Sequence, residues 1–517
     1  MKQYEMLELV YQASAPEGSQ ADVDLTAKFI CGGETVEVKG FYAGQNTYKV
    51  RFLPMQAGDY TYQVSGVLSD AGQLRILPAD RHGPVHARGC HFCHADGMRY
   101  SPFGTTVYAL AHQDSQVTHD TFESLENAPF NKVRLCLFPK HYEHNNNDPK
   151  LYAFEKDKDG NWDVHRPCFA FWDAFEDKLR KLDDLGIQAD LILFHSYDRW
   201  GFSRMGQEAN LVYLDYLLRR FSAFPHIWWS LANEYDLMYN MTMEDWIEIE
   251  DFVAKNDPYS HLLSNHNCFA LWDASRSNIT HASLQTRQLT RIAEWRDAYH
   301  KPVVVDECCY EGNLSQFWGC ISGREMVRRF WRVVATGGYC THGETFLDSQ
   351  RDVLWWAKGG RLKGESASRI AFLRGIVEDL PGPIDPMSFW LADVYQKAVG
   401  SGREQTPVQT DPGYAAFIQS FARLGREEAA AYLATEFSFM GRCGDEAFII
   451  YYDLRCCAED TLELPKDRSY RIELYDVWNM TREVIAENVC GRTQIHLPAK
   501  EDMAVVALAN RSGSNVI

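Results

Sequence analysis

The chain has 517 residues, enough for two to four domains with substantial cores. Its 45% hydrophobic and 24% charged residues are the make-up of an ordinary soluble protein. A formal net charge of −19 argues against nucleic acid or an anionic membrane as partner, since both call for basic patches, and favours a neutral substrate.

The first residues, Met1-Lys2-Gln3-Tyr4-Glu5-Met6, lack the charged-then-apolar build of a signal peptide. No apolar run reaches the ~18 residues of a membrane helix, so a cytoplasmic location is expected. The 14 cysteines then read as free thiols, and the adjacent pairs Cys308-Cys309 and Cys456-Cys457 suit separate disulfides poorly. Residues 1–85 alternate apolar and polar with a period of two at 23–29, 48–52 and 60–64, with turns at Gly32-Gly33 and Ala57-Gly58-Asp59. These signals predict an N-terminal β-sandwich, either a wall facing substrate or a stabilising appendage. After a linker-like stretch, Pro78 to Pro84, comes Cys90-His91-Phe92-Cys93-His94, the one tempting metal pattern. It has no second ligand cluster at zinc-ribbon spacing, so the expectation is a strand entering the next domain, with no metal and no cofactor.

From 86 to 387 strand-like and helix-like segments alternate, the pattern of a (β/α)8 barrel. The predicted strands are 103–110, tipped by His112-Gln113; 131–138; 189–195, ending in His195; 227–232; 262–266; 278–284; 303–306; and 338–341, tipped by His342-Gly343-Glu344. Amphipathic helices are predicted over 170–185, 210–224, 243–255, 286–300, 324–335 and 366–377. Arg134 lies inside the second strand, where a buried guanidinium must be paired, either near the mouth or as a structural ion pair elsewhere in the barrel. Leu354-Trp355-Trp356-Ala357 sits in a Gly-rich loop, and Trp faces there suit a pyranose ring.

Two acid-tipped strands carry the chemistry. The run from Ile227 to Ala232 ends in Asn233-Glu234, and Val303-Val304-Val305 ends in Asp306-Glu307, followed by Tyr310 and Glu311. Polar residues at the carboxyl ends of barrel strands point to the open face, although Asn-Glu could instead cap the next helix. This arrangement resembles glycoside hydrolase clan A, the retaining glycosidases with Asn-Glu after the fourth strand and Glu after the seventh. The order of parts looks like the apiosidase-like barrel group, with a small β-domain on each side. The resemblance implies Glu234 as acid/base, Glu307 as nucleophile, Asn233 as partner of the sugar 2-hydroxyl, and Arg134 as the residue that keeps the nucleophile ionised. His195, with Trp200 behind it, resembles the family's sugar-binding mouth. Tyr310, Glu344, Trp355 and Trp356 complete the expected substrate-binding set.

From 388 to 517 the pattern reverts to strands, at 447–452, 470–475 and 503–508, predicting a C-terminal β-sandwich. The turn Asp476-Val477-Trp478-Asn479 resembles one in the C-terminal sandwich of the same group. The fold class expected is therefore α/β, a (β/α)8 barrel flanked by two small β-sandwich domains. The partner expected is an oligosaccharide or small glycoside, cut by exo action; monomer and homo-oligomer are both open. Two carboxyls ~5–5.5 Å apart act with retention, ~6.5–9.5 Å with inversion, and a narrow barrel favours the first. Glu234 is expected to hold the proton and Glu307 to stay ionised. Other readings are an inactive carbohydrate-binding barrel, or a metal-dependent hydrolase or isomerase using His112, His195, His266 and His281.

Overall fold

The computed structural model describes residues 1–347, 353–387 and 439–510, with 416, 419–421, 423–425 and 428 between them. The expected C-terminal β-domain therefore has its first stretch, 388–415, and its last residues, 511–517, outside the described residues.

The core of the fold is an eight-stranded parallel sheet of Phe103–Thr106, Lys132–Cys136, Gln188–His195, Ile227–Asn233, Leu263–Ser264, Ala282–Gln285, Val303–Glu307 and Tyr339–His342. In chain order these are the first to eighth barrel strands. They are hydrogen-bonded in the order five-four-three-two-one-eight-seven-six, and a parallel bridge between His266 and Ser283 closes five onto six. Every residue from Gln188 to His195 and from Ile227 to Asn233 is buried, which is why these strands read as near-continuous apolar runs.

The barrel interior is charged in its middle layer. Lys132 Nζ lies 2.6 Å from Asp306 and 2.8 Å from Asp190, and Arg134 Nε lies 3.4 Å from Asp190 and 4.0 Å from Asp306. Ser283 and Thr341 hydroxyls donate to Asp306 at 2.6 and 2.8 Å. Two cations against two carboxylates leave this layer neutral, as burial requires. Below it, Phe92 packs against Trp228 and Tyr339, with Val85, Tyr100, Leu262 and Val304 around them.

The stretch 90–94 does hold a strand, but one that lies across the barrel floor rather than leading into the barrel. His91–His94 is the middle strand of a small antiparallel sheet with Val85–Arg88 and Arg99–Tyr100, and its Phe92 plugs the amino-terminal end of the barrel. His91 Nδ1 meets the Tyr339 hydroxyl at 3.2 Å and His94 Nδ1 the Gly83 carbonyl at 2.8 Å, so the histidines serve packing.

The helices mostly follow expectation: Phe169–Asp184, Gln207–Phe221, Met243–Asn256, Gly323–Ala335 and Ser366–Asp379. The stretch 286–300 is broken into a 3-10 turn, Leu289–Arg291, and a helix, Ile292–Tyr299. A further helix, Ser115–Asn127, is capped by Asp114, whose side chain accepts from the Val117 amide. The first strand stops at Thr106 rather than 110, because the Tyr108 and Ala109 amides leave the ladder for the Trp356 and Ala357 carbonyls.

Residues 1–77 form a sandwich of a three-stranded and a four-stranded antiparallel sheet around Leu25, Phe29, Tyr48, Val50 and Phe52. Arg51 bolts it to two barrel helices, donating to Glu176 at 2.7 Å and to the Arg220 carbonyl at 2.7 Å. The chain divides into two compact units, the larger holding residues 1–287, 295–326 and 339–368 and the smaller 288–294, 327–338 and 369–517. Within the smaller, a six-stranded antiparallel sheet packs its apolar face around Phe448, Tyr470, Ile472 and Val505. All 14 cysteines are free thiols. No helix among the described residues is long and apolar enough to cross a membrane.

Candidate active site

The fourth strand delivers Glu234 with backbone angles of φ 56° and ψ 60°, a left-handed conformation that costs a non-glycine residue roughly 1–2 kcal/mol. The amide of the twisted residue donates to His266 Nδ1 at 3.3 Å. The strain turns the carboxylate into the mouth, where the Tyr197 hydroxyl donates to Oε2 at 2.5 Å and Asn233 Nδ2 at 3.0 Å. Asn233 Oδ1 is buried without a partner, an acceptor left over for a hydroxyl.

The seventh strand solves a geometric problem. Simple alternation would send Asp306 and Glu307 to opposite faces. The register instead slips: Leu284 pairs with Val305, and Gln285 with Glu307, leaving Asp306 as the extra residue of a bulge. Asp306 stays inside with Lys132, and Glu307 is re-aimed to the same mouth, where it accepts a hydrogen bond from the Tyr108 hydroxyl. His266 Nε2 stands 3.9 Å from Glu307 Oε1. Because its Nδ1 accepts from the Glu234 amide, the neutral ring carries its hydrogen on Nε2 and turns it towards Glu307.

Burial first, and the charge of Glu234 second, push the Glu307 carboxyl up to about 7, against the pull of Lys140 and then Arg134. Arg134, which the resemblance implies keeps Glu307 ionised, makes no ion pair with it. Its Nε lies within ion-pair reach of Asp190 and Asp306, none of its nitrogens makes a hydrogen bond among the described residues, and it acts on Glu307 only through space. Two facing carboxyls with one of them raised share a proton near neutrality, a condition of the pair.

One side of the mouth is an aromatic wall. Trp356 packs 4.9 Å from Tyr142, 5.1 Å from Trp318, 5.6 Å from Tyr310 and 6.1 Å from Tyr108. The buried Tyr310 phenol is raised well above the ordinary range by burial and by the charge of Glu307. Tyr310 thus stands beside Glu307, and Trp356 packs on Tyr310 and Tyr108.

Three expected binding residues sit apart. Trp355 is buried with its Nε1 donating to Thr105 Oγ1 at 2.8 Å. Glu344 accepts backbone N–H groups from Lys363 and, at 2.9 Å, Gly364, and so ties down that loop. Glu311 does the same for Glu365 and Ser366, the start of the helix Ser366–Asp379. His195 is buried with Nε2 against the Phe138 carbonyl at 3.2 Å, and burial pushes it down to about 4. Trp200 donates from Nε1 to Asp148 at 2.9 Å.

His112 is likewise spent on the Leu137 carbonyl at 2.9 Å, while His281 packs on Trp228 and Phe92 at the barrel floor. Among the described residues, the histidines that made a metal-dependent reading thinkable do not gather; the one trio within ligating reach is Glu311, His342 and Glu344. Its carboxylates are already cradled by four backbone amides at a helix start, an arrangement for anions rather than a cation.

Tyr108, Lys140, Tyr197 and His266 were not marked as site residues by sequence reasoning. All but His266 lie in loops after strands, where no periodicity marks them; His266 did stand out as the polar tip of the fifth strand. Asp236, two residues past Glu234, accepts the amides of Cys268, Phe269 and Ala270 at 2.6–2.8 Å and locks the fifth-strand loop beside the acid.

A family model described as apiosidase-like, catalytic domain, matches residues 86–380. Two families of unknown function, DUF5060 and DUF5605, match residues 1–66 and 437–507. Among solved structures, a candidate glycoside hydrolase from Bacteroides vulgatus ATCC 8482 is 32% identical over 98% of this chain and 99% of that one, with a TM-score of 0.82. A family 5 glycoside hydrolase from the same organism is 14% identical over 83% of this chain and 94% of that one, with a TM-score of 0.58, a likeness of fold alone. No curated protein matches the sequence.

Proposed function

The chain belongs to the apiosidase-like glycoside hydrolases, and on that premise we propose that it cleaves glycosides with retention of configuration, Glu234 serving as acid/base and Glu307 as nucleophile. The observation that carries this reading is the pair itself. Each acid is gripped by its own tyrosine hydroxyl at one mouth, His266 touches both, and the charge of one raises the other. Such a pair holds one proton and one negative charge, which are the two things a double displacement needs.

In the first displacement Glu234 gives its proton to the leaving oxygen as a Glu307 oxygen bonds to the anomeric carbon. In the second, Glu234 takes a proton from water, the water oxygen bonds to that carbon, and Glu307 leaves as carboxylate. Asn233, with its spare Oδ1 beside Glu234, suits the 2-hydroxyl. The Trp356 wall suits a sugar face and supports an exo-acting pocket for β-linked oligosaccharides or small glycosides. We read 86–387 as the catalytic body, with 1–85 and 388–517 as flanking β-domains; Arg51 supports a stabilising role for the first. Fourteen free thiols support work in a reducing, cytoplasmic setting.

A panel of nitrophenyl glycosides tests the reading. Glu234→Gln and Glu307→Gln are each expected to abolish nearly all turnover of whichever glycoside the native enzyme cuts, with folding intact. A folded variant at near-native rate would remove that residue from the mechanism.

A further inference from the structure

Lys140 is 2% exposed, in the loop after the second strand. No carboxylate oxygen among the described residues lies within 4.0 Å of its Nζ. The ammonium instead faces aromatic rings, 3.5 Å from the centroid of Tyr108 and 4.4 Å from that of Tyr197. These are the two tyrosines whose hydroxyls hold the two acids, Tyr108 on Glu307 and Tyr197 on Glu234. A cation over a phenol face is held by the ring quadrupole and, by drawing electron density, makes the O–H a stronger donor.

We propose that Lys140 is a positioning cation for the glycosidase chemistry: gripped between the Tyr108 and Tyr197 rings, it balances the single negative charge that passes between Glu307 and Glu234 in each turnover. The proposal rests on the double-displacement reading. Before attack the charge is on Glu307. While the glycosyl ester stands it is on Glu234, which has given its proton to the leaving group. When water delivers a proton to Glu234 and the ester bond breaks, the charge returns to Glu307. Lys140 stands behind the tyrosine of each acid, so it serves both states without moving. The charged layer below cannot do this, because Lys132 and Arg134 are already matched by Asp190 and Asp306.

The groups that face Lys140 agree. Burial lowers its pKa; Cys136, Glu234 and Glu307 pull it back up, and Arg134 opposes them. His195 and His266, which also sense its charge, are kept neutral by burial. A neutral sugar preserves the balance at the mouth; a substrate with its own carboxylate would add an unmatched buried charge.

Lys140→Met keeps the apolar stem and removes the charge. The acid limb of the kcat/KM profile follows ionisation of Glu307 and the alkaline limb loss of the proton from Glu234, and both rise when a neighbouring cation is lost. The whole bell is expected to move to higher pH by about one unit, with a lower maximum, while Lys140→Arg leaves the bell in place. A Lys140→Met bell that coincides with the native one, whatever the maximum rate, overturns the proposal. Should Lys140→Met fail to fold, Lys140→Arg decides: an unmoved bell supports the proposal, and a bell moved by about a unit overturns it. If Glu234→Gln and Glu307→Gln are dead but the bell stays put in Lys140→Met, only this inference falls. If those two variants remain active, the double-displacement reading falls and takes this one with it.

Discussion

Replacing Glu307 with glutamine should stabilise the protein as it destroys activity, and the gain should depend on pH. The Glu307 carboxyl is raised from 4.5 to about 7, by burial and then by Glu234. A carboxyl with a folded pKa above its unfolded one binds more protons when folded, so stability falls as pH rises from about 4.5 through about 7. At about 1.4 kcal/mol per pH unit, roughly 3 kcal/mol is lost by pH 8, about 2.5 of it between pH 5 and pH 8. Glutamine keeps the shape and does not titrate. The stability difference between Glu307→Gln and native protein should therefore favour the variant by about 2.5 kcal/mol more at pH 8 than at pH 5. Comparing the two pH values removes the altered Tyr108 hydrogen bond. It also removes Glu344, which burial raises to about 7 in both proteins alike. Urea unfolding followed by tryptophan fluorescence measures this; at an m of about 3 kcal/mol per molar, the midpoint difference changes by about 0.8 M. A difference that is the same at both pH values, or larger at pH 5, would refute the assignment of a buried Glu307 raised by its neighbour's charge.

Asp306→Asn leaves Lys132 and Arg134 sharing the single carboxylate of Asp190, one buried positive charge in excess, and should cost about 3–5 kcal/mol, with most of that recovered when Lys132→Met is added, because Arg134 and Asp190 still match; additive costs in urea titrations would contradict the shared layer. Glu234→Ala should still release dinitrophenol rapidly in the first step, since that leaving group needs no proton, while poor leaving groups slow by about 10²–10⁴-fold; burst kinetics across leaving groups read this, and a uniform loss would speak against Glu234 as the acid. The adjacent tryptophans should separate: Trp356→Ala should raise KM by about tenfold through loss of the sugar wall, whereas Trp355→Phe should lower stability by about 1 kcal/mol through the lost bond to Thr105 and leave KM alone. Equal effects on KM would show that the wall is misread.

The barrel is legible in the sequence because its strands are buried on both faces and stand out as apolar runs, as at 189–195 and 227–232. The helix Ser115–Asn127 is not, because its buried side includes Thr118, Asp120 and Thr121, which blur the apolar period; the Asp114 cap was the signal available. Glu234 and Glu307 could be marked because they end strands. The bulge that brings Glu307 to the mouth depends on pairing with 282–285, a contact remote in sequence. Lys140, Tyr108 and Tyr197 meet only once three loops close over one another, and nothing local announces them. Glu344 and Trp355 lie elsewhere for the complementary reason: a residue past a strand end or in the loop beyond can turn behind the wall as easily as into the mouth, and their hydrogen bonds to Lys363, Gly364 and Thr105 decide it.

The most direct test follows the anomeric proton of the first sugar released from a β-glycoside substrate by NMR, before mutarotation. Two acids at one mouth, acting by double displacement, give the β-anomer first. If the α-anomer comes first, water attacks directly and Glu307 is not the nucleophile.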